Sequence, residues 1–334
     1  MSDKKHSLSR TLFGGLFSIA ILGIATFILL NQQYVKDQVT VWSYKPTSNI
    51  QALEKNIDFT DKGKFNFYAQ QPEVDGSDAF NKNCQRQEVG NPILGCYLSS
   101  RIYVFDVTNT QLDGIEEVTA AHETLHAVWE RMSDGDRAHV STLLEAEYAK
   151  LGDNTDLTQR MDYYKRAEPG QFDNELHSIL GTEIPNLGPE LEAHYKEYFN
   201  DRQKIVDYHT KYAAVFTGLK SQSDSLYNEL TTLGSSIESR SKQYDTDVKQ
   251  LSADISAFNT RADNGDFSSI NQFKSERAAL LARSNQLDAD RASISADIDT
   301  YNAKYAQYQK VSSEIEALNK SIDSIKDLQP APSV

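Results

Sequence analysis

Apolar and polar positions follow three regimes along this chain. Residues 12–30 form a run of 19 without a charge, near the lower limit for a helix that spans a bilayer. From about residue 189 onward narrow apolar stripes recur at spacings of three, four or seven. The first stripe is Leu226, Leu230, Leu233, Ile237, Tyr244, Val248, Leu251, Ile255 and Phe258. It resumes after Asn264-Gly265-Asp266 with Leu280, Leu287, Ile294, Ile298, Tyr301, Tyr305, Tyr308, Ile315, Leu318, Ile322 and Ile325. Such stripes predict two coiled-coil arms around one turn, with the Tyr positions packing in the seam. Ser241, Ser284 and Arg291 interrupt that seam and weaken it. Pairing between two chains competes with the intramolecular hairpin.

Between these regimes the patterns are shorter. Residues 48–56 read as a helix capped by Ser48. Lys64-Phe65-Asn66-Phe67-Tyr68 alternates as a strand does, and Pro72, Asp75 and Gly76 stop it. Residues 101–107, β-branched and aromatic, are the strongest strand. Asp113-Gly114 closes the following connection and a helix begins near Ile115. A second helix follows Ser133 as N-cap and runs to Leu151, a third covers 156–167 before Pro169-Gly170, and a fourth covers 172–181. The expected fold is α+β, a mainly helical domain with a small sheet at 35–187. A transmembrane helix (12–30) precedes it, a long antiparallel coiled-coil hairpin (188–328) follows, and a short disordered tail (329–334) ends the chain.

The helix that begins near Ile115 contains His122-Glu123-Thr124-Leu125-His126. Residues four apart share a helix face, so both imidazoles can converge on one metal ion. Glu123 then lies beside the ion rather than on it. Zinc acidifies water towards about pH 7, and an adjacent carboxylate can take the proton as that water attacks a carbonyl. Thr119, Ala120, Ala121, Thr124, Leu125, Ala127 and Val128 are uncharged, so nothing near the two imidazoles repels a cation.

This helix resembles that of the zincin metallopeptidases, with the likeness covering roughly residues 100–185. The resemblance implies bound Zn2+, Glu123 as general base, and an upstream strand, here 101–107, whose free edge pairs with an extended substrate. Backbone pairing of that kind makes little demand on substrate sequence. Catalytic zinc takes three protein ligands. The metzincin pattern would place Gly and His where Trp129 and Met132 stand, so it does not apply. The remaining zincins, the gluzincin type, draw a Glu from a later helix, which points to Glu175. His177 is its rival, with Glu183 and His194 behind it. Glu175 and His177, two apart on a helix, face nearly opposite ways. The family's supporting Asp would fall at position 179, where this chain has Ile179. For an oxyanion donor the resemblance offers Tyr163, Tyr164 or His177.

Charge narrows the partners. With 48 acidic and 34 basic residues the chain carries −14, and it has no basic stripe interleaved with aromatics, which argues against nucleic acid. Lys4, Lys5 and Arg10 precede the apolar run and Asn31-Gln32-Gln33 follow it. The positive-inside rule therefore keeps residues 1–11 cytoplasmic and exports the remainder as an anchored domain. A cleaved signal peptide is the competing reading, though no A-x-A-like site is evident. In an oxidising space Cys84 and Cys96 can close a small loop around Gly90-Asn91-Pro92, worth about 3 kcal/mol; two unbridged thiols are the alternative. The sequence thus predicts a membrane-anchored extracytoplasmic zinc metallopeptidase acting on protein or peptide. The alternative is an envelope scaffold working through its coiled coil, by self-association or a protein partner, with an inactive zincin-like domain. An intact Glu123 favours the enzyme.

Overall fold

A computed structural model describes residues 3–84, 93–98, 100–152, 154–167 and 169–324, leaving aside the side chains of 3–15, 156 and 167. Gly90-Asn91-Pro92 and the expected tail at 329–334 lie outside the described residues. The chain forms two compact units, Met1–Val215 with Asn319–Val334, and Phe216–Leu318.

The first unit begins with α1 (Asp3–Leu30), α2 (Gln32–Ser43), α3 (Ser48–Ile57) and α4 (Asp61–Ala69). Next come β1 (Glu73–Asp75), α5 (Ser77–Asn83), β2 (Gly95–Leu98) and β3 (Arg101–Phe105). It continues through α6 (Ile115–Arg131), α7 (Asp134–Lys150), α8 (Thr155–Ala167), α9 (Phe172–Glu183) and α10 (Pro189–Tyr195). The mainly helical α+β class is therefore observed. Among the described residues no single helix is long and apolar enough to cross a membrane, but Leu16–Leu30 and α2 meet that test together across a 90° bend.

Local signals explain most boundaries. Thr47, one residue before the expected Ser48, caps α3 by accepting from the Ile50 N–H. Ser133 caps α7 as expected, accepting from the Asp136 N–H. The 64–68 segment is helical, against expectation. Thr60 accepts from the Gly63 N–H and starts α4, which buries Gly63, Asn66, Phe67 and Ala69 on one side. Five residues of alternation are too few to distinguish the two periods.

The sheet has the order β1-β3-β2, with β1 parallel and β2 antiparallel to β3. Register places Val74 opposite Val104, and Cys96 opposite Tyr103. This corrects the expectation that β3 offers a free edge. Partners flank it on both sides, and the strand edge beside α6 belongs to β2. Cys84 and Cys96 are bridged, tying β2 to the end of α5 over a small cluster of Phe80, Tyr103 and Phe105.

The main core gathers Leu125 and Val128 of α6, Leu144 of α7, Leu157 and Met161 of α8, and Leu176, Ile179 and Leu180 of α9. Leu191, Tyr195, Tyr198, Phe199 and Ile205 join the same core. For that reason the domain does not stop at residue 187, where the sequence suggested a boundary. The segment after α10 turns before α11 (Arg202–Asn264) starts, so the first long arm begins at Arg202 rather than near residue 189. Gly181, expected to end α9, instead lies inside it. A Cβ there would stand 2.4 Å from Leu125 Cδ1 and 2.7 Å from the Tyr195 ring. Only hydrogen fits where α9 meets α6.

The second unit is an antiparallel helix pair, made from α11 from Phe216 onward and α12 (Ile270–Ile322) as far as Leu318. Leu226, Leu230, Leu251, Phe258, Ile294 and Val311 are buried. Cross-arm ion pairs join Glu229 to Lys304, Arg240 to Asp297, Asp254 to Arg283 and Arg261 to Glu276. Phe258, Phe267 and Phe273 cluster at the turn, and Tyr301 stacks on Tyr305. Intramolecular pairing is thus the observed arrangement, and seam positions Val248, Ile255, Ile298 and Tyr305 remain exposed.

Two outcomes test this architecture. Gly181→Val should destabilise the first unit by about 2 kcal/mol, the usual cost of overpacking; an unchanged denaturation midpoint would show that α9 has room to shift. The second concerns Glu116, which accepts from the Val107 N–H. Burial pushes its carboxyl up to about 7, with the Val107 N–H opposing and Asp106 and Glu117 adding to the rise. The folded chain therefore holds this proton more tightly than the unfolded one. The resulting stability is full below the ordinary carboxylate range and lost as pH rises through about 7. Glu116→Gln keeps an acceptor for Val107 and should gain about 1 kcal/mol near pH 8, after discounting for solvent screening, with little change near pH 4. Thermal melts at both pH values check the difference.

Candidate metal centre

Helix α6 places Glu116 and Glu117 in its first turn and Arg131 in its last, the order the helix dipole favours. Ala120, Ala121, Leu125, Ala127 and Val128 are buried, which fixes the helix and leaves His122 and His126 on one side. Their rings lie 4.8 Å apart, close to perpendicular at 80°. Glu175, in the first turn of α9, faces them. Its Oε2 is 3.7 Å from His122 Nε2, and its Oε1 is 3.6 Å from His126 Nε2. One donor atom from each of the three residues lies within 4.8 Å of the other two.

These donors suit a small divalent cation. Tetrahedral ligands about 2.05 Å from zinc sit about 3.4 Å apart; the two gaps here run to different oxygens of Glu175, and a set of one donor per residue fits within 4.8 Å, so the three side chains would draw together around an ion. Glu175 Oε2 is also buried without a hydrogen-bond partner, and such an atom ordinarily costs stability unless something satisfies it. Burial pushes the Glu175 carboxyl up. The imidazoles of His122 and His126 and the Tyr164 hydroxyl outweigh burial and hold it below its ordinary value.

A second layer orients the ligands. His126 Nδ1 lies 2.9 Å from Asn174 Oδ1 and 3.3 Å from Ser178 Oγ. Asn174 spends its amide N–H on Gln171 Oε1, so its oxygen is the atom that accepts from His126. With a metal ion bound, Nδ1 would keep its proton on Asn174 and Nε2 would be left to face the ion. The support comes from position 174, just before the ligand candidate, and not from position 179, where Ile179 is in the core. The sequence held a signal for it, because 174, 175 and 178 share one stripe of a helix.

Glu123 is buried, and burial raises its carboxyl to about 7; His126 opposes the rise, Glu175 adds to it, and the Tyr97 backbone N–H opposes it. Gly95 of β2 backs directly onto this side chain. A Cβ at Gly95 would sit 2.8 Å from Glu123 Oε1 and 2.5 Å from Thr119 Cγ2. Gly95 and the Tyr97 N–H were not visible as site residues in the sequence, since β2 carries no motif.

The other candidates fall elsewhere. His177 does not join the cluster. It is fully buried, bonded through Nε2 to His194 Nε2 at 2.9 Å and packed against Trp129 and Tyr195. Burial holds it well below the ordinary imidazole range, helped by His194. It is therefore a neutral core residue and neither a ligand nor an oxyanion donor at this site. His194 is its partner. Glu183 pairs with Arg160 and His209. Tyr164, in contrast, stands at the Glu175 carboxylate, whereas the Tyr163 ring packs against that of Tyr164.

Comparison with protein-family models, with curated proteins and with solved structures finds no match for this chain.

Asn174→Ala should weaken zinc binding about tenfold to a hundredfold, and Glu175→Ala should weaken it further. Titration with a chromophoric zinc chelator measures both. Wild-type affinity in Glu175→Ala would remove that residue from the ligand set.

Proposed function

We propose that this chain is a membrane-anchored, extracytoplasmic zinc metallopeptidase of gluzincin-like design, acting on protein or peptide. The observation that carries this reading is the convergence of His122, His126 and Glu175 from two helices, with Glu123 next to them in the chain. Bound zinc would supply a Lewis acid able to acidify water and polarise a peptide carbonyl.

The chain's own residues have defined tasks in this reading. His122, His126 and Glu175 hold the ion, and Asn174 with Ser178 fixes the tautomer of His126. Glu123 accepts a proton and returns it to the leaving amine. Burial, which raises this carboxyl in the metal-free site, favours its taking up the proton it must later return. Gly95 leaves room for that carboxylate, and the Tyr97 N–H restrains it. Tyr164 is the oxyanion donor best supported by position. An extended substrate would run along β2, the edge strand that touches Glu123, and not along β3. The helix pair would act as a docking arm.

The scaffold alternative draws on the exposed seam positions of the second unit. It gives no account of a buried carboxylate beside two convergent imidazoles, and the enzyme reading does.

Glu123→Gln should lower hydrolysis of an unfolded protein substrate by at least about a hundredfold while one zinc per chain is retained. Mass-spectrometric metal analysis and a fluorogenic cleavage assay on the same sample separate the two effects. Cleavage at the wild-type rate by this variant would end the mechanism.

A further inference from the structure

The most exposed tryptophan of the described chain is Trp42, at the end of α2, with 78% of its surface accessible. Val39, one turn earlier, and Tyr34 are 55% and 53% exposed. With Val35 they occupy one arc of the helix, which also carries Gln38 and is bordered by the exposed Lys36 and Ser43; at its inner edge the Tyr34 ring packs 5.7 Å from that of Phe65 in α4 and its hydroxyl donates to Gln38, so Val39 and Trp42 are its open positions. The opposite arc is committed to the domain. Asp37 is buried and takes two hydrogen bonds from Arg131 at the end of α6, at 2.8 and 3.0 Å, with a third from Gln33. A helix held by a buried ion pair cannot roll its apolar arc inward.

Two features say what covers this arc. Directly before it, the described part of α1 exposes Leu16, Phe17, Ile19, Leu22, Ile24 and Leu29 around its circumference, a surface suited to acyl chains and not to water. The helix axis then turns by 90° between Leu30 and Gln32, where the Asn31 side-chain amide bonds the Phe27 carbonyl and closes α1. If the whole uncharged run of residues 12–30, of which the membrane test covers only Leu16–Leu30, crosses the bilayer along its normal, α2 lies in the plane of the membrane. Trp and Tyr are the residues favoured at headgroup depth, and a Lys at the border of the apolar arc can reach lipid phosphate.

We propose that α2 is an interfacial helix, with Val39 and Trp42 set into the lipid headgroup region and its Asp37 face clamping the domain against the membrane. This rests on the membrane-anchored reading above and adds a contact surface to it. The helix that carries His122 and His126 would then stand one ion pair away from the bilayer surface.

The chain has two tryptophans, and Trp129 is buried, so the emission of the wild type minus that of Trp42→Phe reports Trp42. The full-length protein is reconstituted into vesicles of equal parts phosphatidylcholine and phosphatidylglycerol. Bromine is placed high or low on the acyl chains. The expected result is co-flotation with the vesicles, Trp42 quenching about twofold stronger from the shallow bromine than from the deep one, and protection from aqueous acrylamide. Co-flotation with Trp42 open to acrylamide and indifferent to both bromines would overturn the interfacial helix and leave the anchor standing. Protection from acrylamide without bromine quenching would assign the arc to a protein contact and equally overturn it. Failure to co-float would overturn the anchor and the proposal together.

Discussion

How closely α9 approaches α6 decides whether this molecule has a site at all. The two imidazoles come from one helix and need no tertiary contact to share a face. The carboxylate comes from the other helix, and a shift of an ångström would take Glu175 out of reach. Gly181 makes the approach possible two turns away, where Leu125 and Tyr195 fill the space a side chain would need. Leu176 and Leu180 complete the contact in the core. Packing density, not the ligands themselves, therefore sets the donor spacing.

That packing also sorts the ionisable groups into two populations. His177 lies in the core and His194 is half-buried beside it; burial depresses both, and they pair with each other. His122, His126, Glu123 and Glu175 form the other group, in which burial of each carboxylate is opposed by nearby imidazole. Glu175 and His177 are two residues apart and belong to different groups because a helix turns them to opposite sides. Position on one helix thus separates a structural histidine from a candidate ligand.

Much of this was legible in the sequence, and the failures have physical causes. The start of α6 at Ile115, the Ser133 cap, β3 and the Cys84–Cys96 bridge followed from local chemistry, whereas Glu175, which lies beside His122 and His126, was pointed to by the zincin resemblance and not by periodicity. The 64–68 segment failed because five alternating residues also fit a helix once Thr60 caps it. Strand β1 was missed because Glu73, Val74 and Asp75 carry too little apolar surface; pairing with β3, and the Glu73–Arg101 ion pair, hold it in the sheet. For Asn174 the shared helix stripe with Glu175 was the one signal; the role of Gly95 depends on atoms distant in the chain, and no periodicity encodes such a contact. The domain boundary moved for the same reason, since Tyr195, Phe199 and Ile205 look like arm residues until the core they fill is known.

One topological detail carries a mechanical meaning. The first compact unit contains both the segment that leads into the helix pair and the segment that returns from it. The returning end is fastened there, with Ser324 bonded in both directions to Asn81 and Ser321 within reach of Asn109. The long arm is thus an insertion with two roots rather than a pendant tail. A single protease nick at its far turn, near Gly265, would release no fragment, and a pull on the tip would be shared between two attachment points loaded in parallel.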